Sequence, residues 1–419
     1  MDYLDVVEQV QKAKLLSKKL AILDENKKNQ LLEYMSQQLE QDCEKINAAN
    51  KKDVDKAKKE GLSGAMIDRL TLDKNRILDM VEGVRKVALL EDPVKKTLKT
   101  YRSKNGLLIK KVSTPIGVIG MIYESRPNVT SDVAALCIKS GNVVILKGGK
   151  EAFFSNQAIV KSLHLALKRA DVESGYIQMI EHTHRDVVDV MLKQVDSIDL
   201  IVPRGGTSLI QKVVKTSLIP ILKHDKGLCH IYIDDSAKLD DARDITINAK
   251  CQRPGVCNAL ETLLVSEKIE ASFLKDLVRD LQKKSVQIRA CQKTLDLLQD
   301  ESLFEAFEED WETEYLDLIL SIKIVENCDE AISHINKYGS GHSDAIITES
   351  SVNAEKFLSE VDSSTVYHNA STRFTDGEAF GMGAEIGIST NKLHARGPVG
   401  LEELTSYKYV VHGDGQVRE

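Results

Sequence analysis

Between Lys110 and Val366, short apolar segments alternate with stretches of helical length. After Val112, the run Gly117-Val118-Ile119-Gly120-Met121-Ile122 reads as a strand, and Ser131 to Ser140 as a helix stopped by Gly141-Asn142. Val143-Val144-Ile145-Leu146 is a strand with no polar side chain. A helix from Ser155 to Ala170, a strand from Tyr176 to Ile180, a helix from Arg185 to Lys193 and the strand Leu200-Ile201-Val202 continue the series. A strand apolar on both faces must be covered on both faces. Helical crossovers supply that cover, so the pattern predicts a parallel, doubly wrapped sheet. A second series opens at His230-Ile231-Tyr232-Ile233. It includes Thr262 to Val265, a helix from Ala271 to Lys283, Leu318 to Val325, a helix from Asp329 to Lys337, and Ala345-Ile346-Ile347. The 419 residues therefore read as α/β with two Rossmann-type parallel-sheet regions.

The segment before residue 95 is different in texture. Asp24 is placed to cap a helix whose Leu31, Leu32, Met35 and Leu39 share one face, and Ile77, Val81 and Val84 mark another stripe. The charge runs Lys51-Lys52 and Lys58-Lys59-Glu60 read as a solvated face. At the far end, Leu404 to Val411 is β-prone and alternating, and is expected to pair with another subunit. The acidic start of the chain lacks the apolar core of a secretory signal, and no apolar run reaches membrane-spanning length. A cytoplasmic protein is expected. Lys plus Arg is 57 against Asp plus Glu 64, a net charge of -7, which argues against a dedicated nucleic-acid binder. Seven scattered cysteines with no C-x-x-C pair suit a reducing compartment and leave open which thiol is chemical.

Two turns suit a phosphate-bearing cofactor. Lys147-Gly148-Gly149-Lys150 directly follows a strand, and so does Pro203-Arg204-Gly205-Gly206-Thr207, which is placed to open a helix. Ligands gather at strand C-termini in parallel sheets, and a helix N-terminus presents free N–H groups to anions. The glycine-rich Gly381 to Gly387 segment has the wrong spacing for a dinucleotide fingerprint. Among the thiols, Cys257 follows Arg253-Pro254-Gly255, a sharp loop beside a cation, which is what a nucleophilic thiolate requires. His182-x-His184 has no further ligands near it, so no metal site is expected.

At several segments the chain resembles the gamma-glutamyl phosphate reductase family, a branch of the aldehyde dehydrogenase superfamily. They are Tyr123 to Thr130, Lys139 to Gly149, Pro203 to Gly206, Cys229 to Tyr232, Asn248 to Pro254, Cys257-Asn258, Asn369 to Gly377 and Lys392 to Pro398. The resemblance implies an aldehyde dehydrogenase-like fold in three parts. A cofactor domain takes 1–106 with 123–230 and 367–395, a catalytic domain takes 231–366, and a small β oligomerisation element takes 107–122 with 396–419. It implies reduction of L-glutamate 5-phosphate by NADPH to L-glutamate 5-semialdehyde and phosphate, in proline biosynthesis, by a homo-oligomer. A glutamate 5-kinase that hands over the labile substrate is a plausible transient partner.

By the same resemblance Cys257 is the nucleophile. Lys147, Gly148, Gly149 and Lys150 fall where the adenosine ribose is held, Gly205 and Gly206 in the pyrophosphate turn, and Glu314 at the nicotinamide ribose. Lys150, where NAD-preferring relatives often carry a carboxylate, suits NADPH. Asn128 is the expected side-chain oxyanion donor, and Arg126, Arg253 or Arg373 the expected partner of the substrate's phosphate or α-carboxylate. Aldehyde-oxidising members carry a Glu that activates water. The matching stretch here, Lys223-His224-Asp225-Lys226-Gly227-Leu228, has none. Two alternatives stay open: a reductase of acyl-CoA or another acyl phosphate, and a non-catalytic nucleotide-binding scaffold with an inert thiol.

Overall fold

The structure, a computed structural model, describes residues 3–223 and 226–418, without the side chains of Ala65 and Thr207. It divides into two units, one of residues 1–223, 381–387 and 398–419 and one of residues 224–380 and 388–397.

The first unit begins with helices α1 (Leu4–Leu20), α2 (Glu25–Gln41), α3 (Cys43–Lys59), α4 (Gly64–Leu70) and α5 (Lys74–Leu89). Asp24, Ser63 and Asp73 each accept a hydrogen bond from the third residue on, the Lys27, Met66 and Arg76 N–H groups, satisfying donors a helix start would leave bare. Leu31, Leu32, Met35 and Leu39 are buried, as the stripe predicts. Not every lysine here is solvated. Lys28 Nζ lies 2.7 Å from Asp92, and Lys139 Nζ 2.6 Å from Asn29 Oδ1, with both lysine side chains fully buried. Strands β1 (Thr97–Arg102), β2 (Leu108–Pro115) and β3 (Val118–Tyr123) follow. Then come α6 (Val129–Lys139), β4 (Val143–Gly148), α7 (Phe153–Arg169), β5 (Ile177–Met179), α8 (Asp186–Met191), β6 (Leu200–Arg204) and α9 (Thr207–Thr216). The parallel sheet runs β5-β4-β3-β6.

Here the strands divide differently from the expected oligomerisation element of 107–122. Every residue of β3 is buried, so β3 lies inside the parallel sheet between β4 and β6. The half-polar β2 instead pairs antiparallel with β1 and with the C-terminal strand Thr405–His412. That last strand pairs along one edge within its own chain, with Thr405 opposite Pro115 and His412 opposite Leu108, and lies at the edge of the three-stranded sheet. The partners are nearly three hundred residues apart, so no local signal marks the pairing.

The second unit contains β7 (Cys229–Ile233), α10 (Leu239–Cys251), β8 (Leu260–Ser266), α11 (Ala271–Lys283), β9 (Gln287–Ala290), α12 (Gln292–Leu298) and β10 (Phe304–Glu305). It continues through β11 (Ile319–Val325), α13 (Cys328–Tyr338), β12 (Ser343–Ile347), α14 (Ser351–Glu360) and β13 (Thr365–His368). The sheet is parallel throughout, in the order β10-β9-β11-β8-β7-β12-β13. Its core holds Ile231, Leu260, Leu263, Leu277, Leu281, Leu320, Ile322 and Ala345, all with almost no exposed surface. Residues 369–380 belong to this unit, not to the first. Among the described residues no helix is long and apolar enough to cross a membrane.

Candidate functional site

In the first unit, the residues expected at a cofactor lie at the C-terminal ends of β4 and β6, the two strands that flank β3 in the parallel sheet. Lys147 is the penultimate residue of β4, with its side chain buried, and its ammonium donates to the Gly148 carbonyl at 2.8 Å. Burial holds its pKa below the usual lysine value. A side chain on Gly148 would run into the Asn156 amide, and one on Gly149 into the Glu151 carboxylate. Lys150 is exposed. At the end of β6, a side chain on Gly205 would overlap Glu124, whose Oε2 accepts the Gly206 N–H at 3.0 Å. The turn that opens α9 thus already holds a carboxylate, the behaviour of an anion-accepting helix start. This donor set fits the phosphates of a dinucleotide.

Two acidic residues here were missed by sequence reading. Glu124 is one. Glu151 is the other: its Oε1 accepts the Ser125 N–H at 2.7 Å and the Ser125 hydroxyl at 2.9 Å. Ser125 has φ of 46°, a left-handed turn that the carboxylate fixes. Asn128 stands at the start of α6, and its amide donates to Asp132 Oδ2 at 2.9 Å. Burial pushes the Asp132 pKa up to about 6. Arg126 lies two residues before Asn128, half-buried.

In the second unit the central feature is the loop between α10 and β8, which carries Cys257 half-buried and outside any disulfide. Gly227 packs directly on its backbone. A Cβ there would overlap the Cys257 carbonyl oxygen, Cα and carbonyl carbon, so only glycine fits. The Gly227 N–H donates to Glu314 Oε1 at 2.8 Å, which brings the expected ribose carboxylate beside the thiol loop. Burial raises the Glu314 pKa. Of the stretch expected to lack the water-activating Glu, His224 and Asp225 lie outside the described residues.

The next residue, Asn258, is buried and tied on all sides. Its amide donates to the Thr375 carbonyl at 2.9 Å, its own carbonyl accepts the Thr372 hydroxyl at 2.8 Å, and its Oδ1 accepts from Arg373. Arg373 also donates from Nε to Gln252 Oε1 at 2.9 Å. Its pKa is held below the usual guanidinium value by burial first and then by the Arg253 charge, whereas Cys257 acts in the opposite sense. Arg373 is thus bonded to Gln252, the residue before Arg253, and to Asn258, the residue after Cys257. Arg126 and Asn128 belong to the other unit.

Four of the remaining thiols, Cys43, Cys137, Cys229 and Cys328, are buried, and burial pushes each pKa up, that of Cys328 to about 11. Cys229 has an unforeseen structural role, since its thiol donates to the Cys257 carbonyl at 3.2 Å. Behind the loop, Lys250 and Glu261 form an ion pair at 2.7 Å with neither side chain exposed. No sequence signal pairs these two, because one lies on a helix and the other on a strand. Among the described residues no group of three or more His, Cys, Asp or Glu side chains is placed to hold a metal ion.

The model of the aldehyde dehydrogenase family matches residues 1–296 and 310–410. The chain is 52% identical to a gamma-glutamyl phosphate reductase of Caldanaerobacter subterraneus subsp. tengcongensis, over 99% of this chain and 100% of that one. It is 53% identical to a protein of the same name from Carboxydothermus hydrogenoformans, over 99% of each chain. The crystal structure of gamma-glutamyl phosphate reductase from Thermotoga maritima matches with a TM-score of 0.96 and 46% identity, covering 100% of both chains. A glyceraldehyde-3-phosphate dehydrogenase of Methanocaldococcus jannaschii complexed with NADP shares the fold, with a TM-score of 0.69 at 18% identity, over 97% of this chain and 94% of that one.

Proposed function

This chain belongs to the aldehyde dehydrogenase family, and we propose that it reduces L-glutamate 5-phosphate to L-glutamate 5-semialdehyde with NADPH, the second step from glutamate to proline. The observation that carries this reading is the setting of Cys257, on a loop pressed against Gly227 and tied to Arg373 through Gln252 and Asn258. Relatives above 50% identity over the whole chain bear the name of that activity. The solved glycolyl-CoA reductase and the propionaldehyde dehydrogenase with bound CoA share only 15% and 14% identity and support the fold alone.

The Cys257 thiolate attacks the δ-carbonyl carbon of the acyl phosphate. A C–S bond forms, the C–O bond to phosphate breaks, and phosphate leaves with the electron pair. Phosphate is a good leaving group, so no strong general acid is required. The Cys257 N–H and the Asn128 amide stabilise the oxyanion, and the Asp132 carboxylate orients that amide. Arg373, prepositioned by Gln252 and Asn258, holds the substrate's anionic end together with Arg253. Arg126 is the third candidate for that role. NADPH, when bound, supplies the hydride that reduces the thioester, after which the C–S bond breaks and Cys257 leaves as thiolate. Lys147, Gly148, Gly149, Lys150, Gly205, Gly206 and Glu314 are the residues that would hold it. A water-activating Glu would drain the thioester by hydrolysis, so its absence suits reduction.

The assay is oxidation of NADPH, followed by absorbance, with freshly generated glutamyl phosphate, or the reverse reaction with semialdehyde, phosphate and NADP. Coenzyme A in place of phosphate should give no turnover. Lys150→Glu is expected to lower kcat/KM for NADPH about 10-fold or more while leaving NADH nearly unaffected, the size expected for one lost charge contact to a phosphate. Equal effects on both nucleotides would remove the 2′-phosphate assignment.

A homo-oligomer in the cytoplasm completes the reading. Leu98, Tyr101, Tyr407, Tyr409 and Val411 stand exposed on the three-stranded sheet, an apolar group that a monomer rarely leaves bare. Deleting residues 405–419 is expected to lower the mass seen by sedimentation equilibrium to that of a single chain. An unchanged mass would exclude this sheet as the interface.

A further inference from the structure

The loop that presents Cys257 is closed at its base by charge. Lys250 lies in the last turn of α10 and Glu261 is the second residue of β8, so together they bracket residues 251–260. Their side chains meet at 2.7 Å and are fully buried. The second carboxylate oxygen of Glu261 accepts the Leu316 N–H at 3.2 Å. Leu316 has φ of 54°, and its carbonyl oxygen lies 3.6 Å from where a Cβ on Gly255 would stand. Two residues earlier, Glu314 holds the Gly227 N–H, and Gly227 rests on Cys257. One carboxylate thus joins both ends of the thiol loop to the segment that carries the ribose carboxylate. Burial alone would drive both groups of the pair toward neutrality, and it raises the Glu261 pKa to about 7. A buried pair is weak as a source of stability, and in some proteins it serves to fix one geometry over others.

We infer that Lys250 and Glu261 are positioning residues, which hold the Cys257 loop in register with the Glu314 segment and act on catalysis only through that register. This rests on the reading of Cys257 as the nucleophile.

The test is the double variant Lys250→Met/Glu261→Leu, which removes both charges at similar volume and leaves no unpaired ion. Glu261→Gln, which keeps an acceptor for Leu316, is measured beside it in case the double variant does not fold. Two readouts are taken on full-length protein. In the absence of substrate, amide hydrogen exchange is expected to rise about 10-fold or more at 252–259, 226–228 and 314–317, with the interiors of β8 and β11 as protected as before. In turnover, kcat is expected to fall about 30-fold or more with KM for the acyl phosphate little changed, since misplacement by about 1 Å has costs of that order. Three results each overturn the inference: unchanged exchange in the loop; exchange raised equally across the sheet; or loosened loops with wild-type kcat. Because exchange needs no substrate, it is read even where the wild-type chain fails to turn over glutamyl phosphate, so the two readings fail separately.

Discussion

Replacing Cys257 with alanine or serine lowers kcat by about 10⁴-fold or more, because the covalent route is then closed. The six other thiols offer no substitute. Cys43, Cys137, Cys229 and Cys328 are buried and their ionisation is suppressed by burial. Cys251 ends α10, its pKa also shifted upward by burial, and Cys291 lies outside the thiol loop, between β9 and α12. A serine hydroxyl keeps the size of the side chain but ionises far less readily than a thiol at neutral pH. The measurement is NADPH oxidation with glutamyl phosphate, together with far-UV circular dichroism and a melting curve to show that the variant is folded. A folded Cys257→Ala protein with more than about a tenth of normal kcat would end the thioester mechanism, since no such mechanism survives loss of its nucleophile.

Gly227→Ala is the other severe change, although the substitution adds one methyl group. That methyl falls on the carbonyl oxygen, Cα and carbonyl carbon of Cys257, all of them backbone atoms. No side chain can rotate away, so either residues 226–228 or the thiol loop must move. Moving the first breaks the Gly227 hydrogen bond to Glu314 and the Leu228 hydrogen bond to Ser340 at 2.9 Å. Moving the second displaces the nucleophile. The expected result is a kcat reduced about 100-fold or more. A loss of about 1–3 kcal/mol in stability from overpacking should accompany it. Gly64→Ala is the matched control: nothing lies within 4 Å of its added methyl, and its backbone is not left-handed. It should change stability by about 1 kcal/mol or less. Near-normal turnover in Gly227→Ala would mean that the tight approach of this glycine has no part in placing the thiol.

Much of the scaffold is legible from local pattern. The helix expected from Ala271 to Lys283 is found with those bounds, and Asp24 caps α2 as its position suggests. The apolar strands at Val143, Leu200, His230 and Ala345 are found in parallel sheets. Other elements escape that reading. In α10 the stripe is diluted by Asp240, Asp241, Arg243 and Asp244, and its burial rests on Ala242, Thr246, Ala249 and Lys250, of which only two are apolar. β9 is only four residues long. The two turns at Lys147 and Gly205 stand out because glycine after an apolar strand is a local signal with a physical meaning. Glu124 and Glu151, which bond to the Gly205 turn and to Ser125, give no such signal.

The sequence by itself determined the class of the fold, and the Pro-Gly approach to Cys257, with the family resemblance, singled it out among seven thiols as the candidate nucleophile. These follow from periodicity and short-range context, which act over a few residues. Tertiary structure alone decided that the C-terminal strand closes on Leu108–Pro115, that Lys250 meets Glu261, and that Gly227 packs on the backbone of Cys257. Each of these is a contact between segments far apart in the chain, or on different kinds of element. Such a contact is selected by burial and by the pairing of buried polar groups, which exist only once the chain has folded.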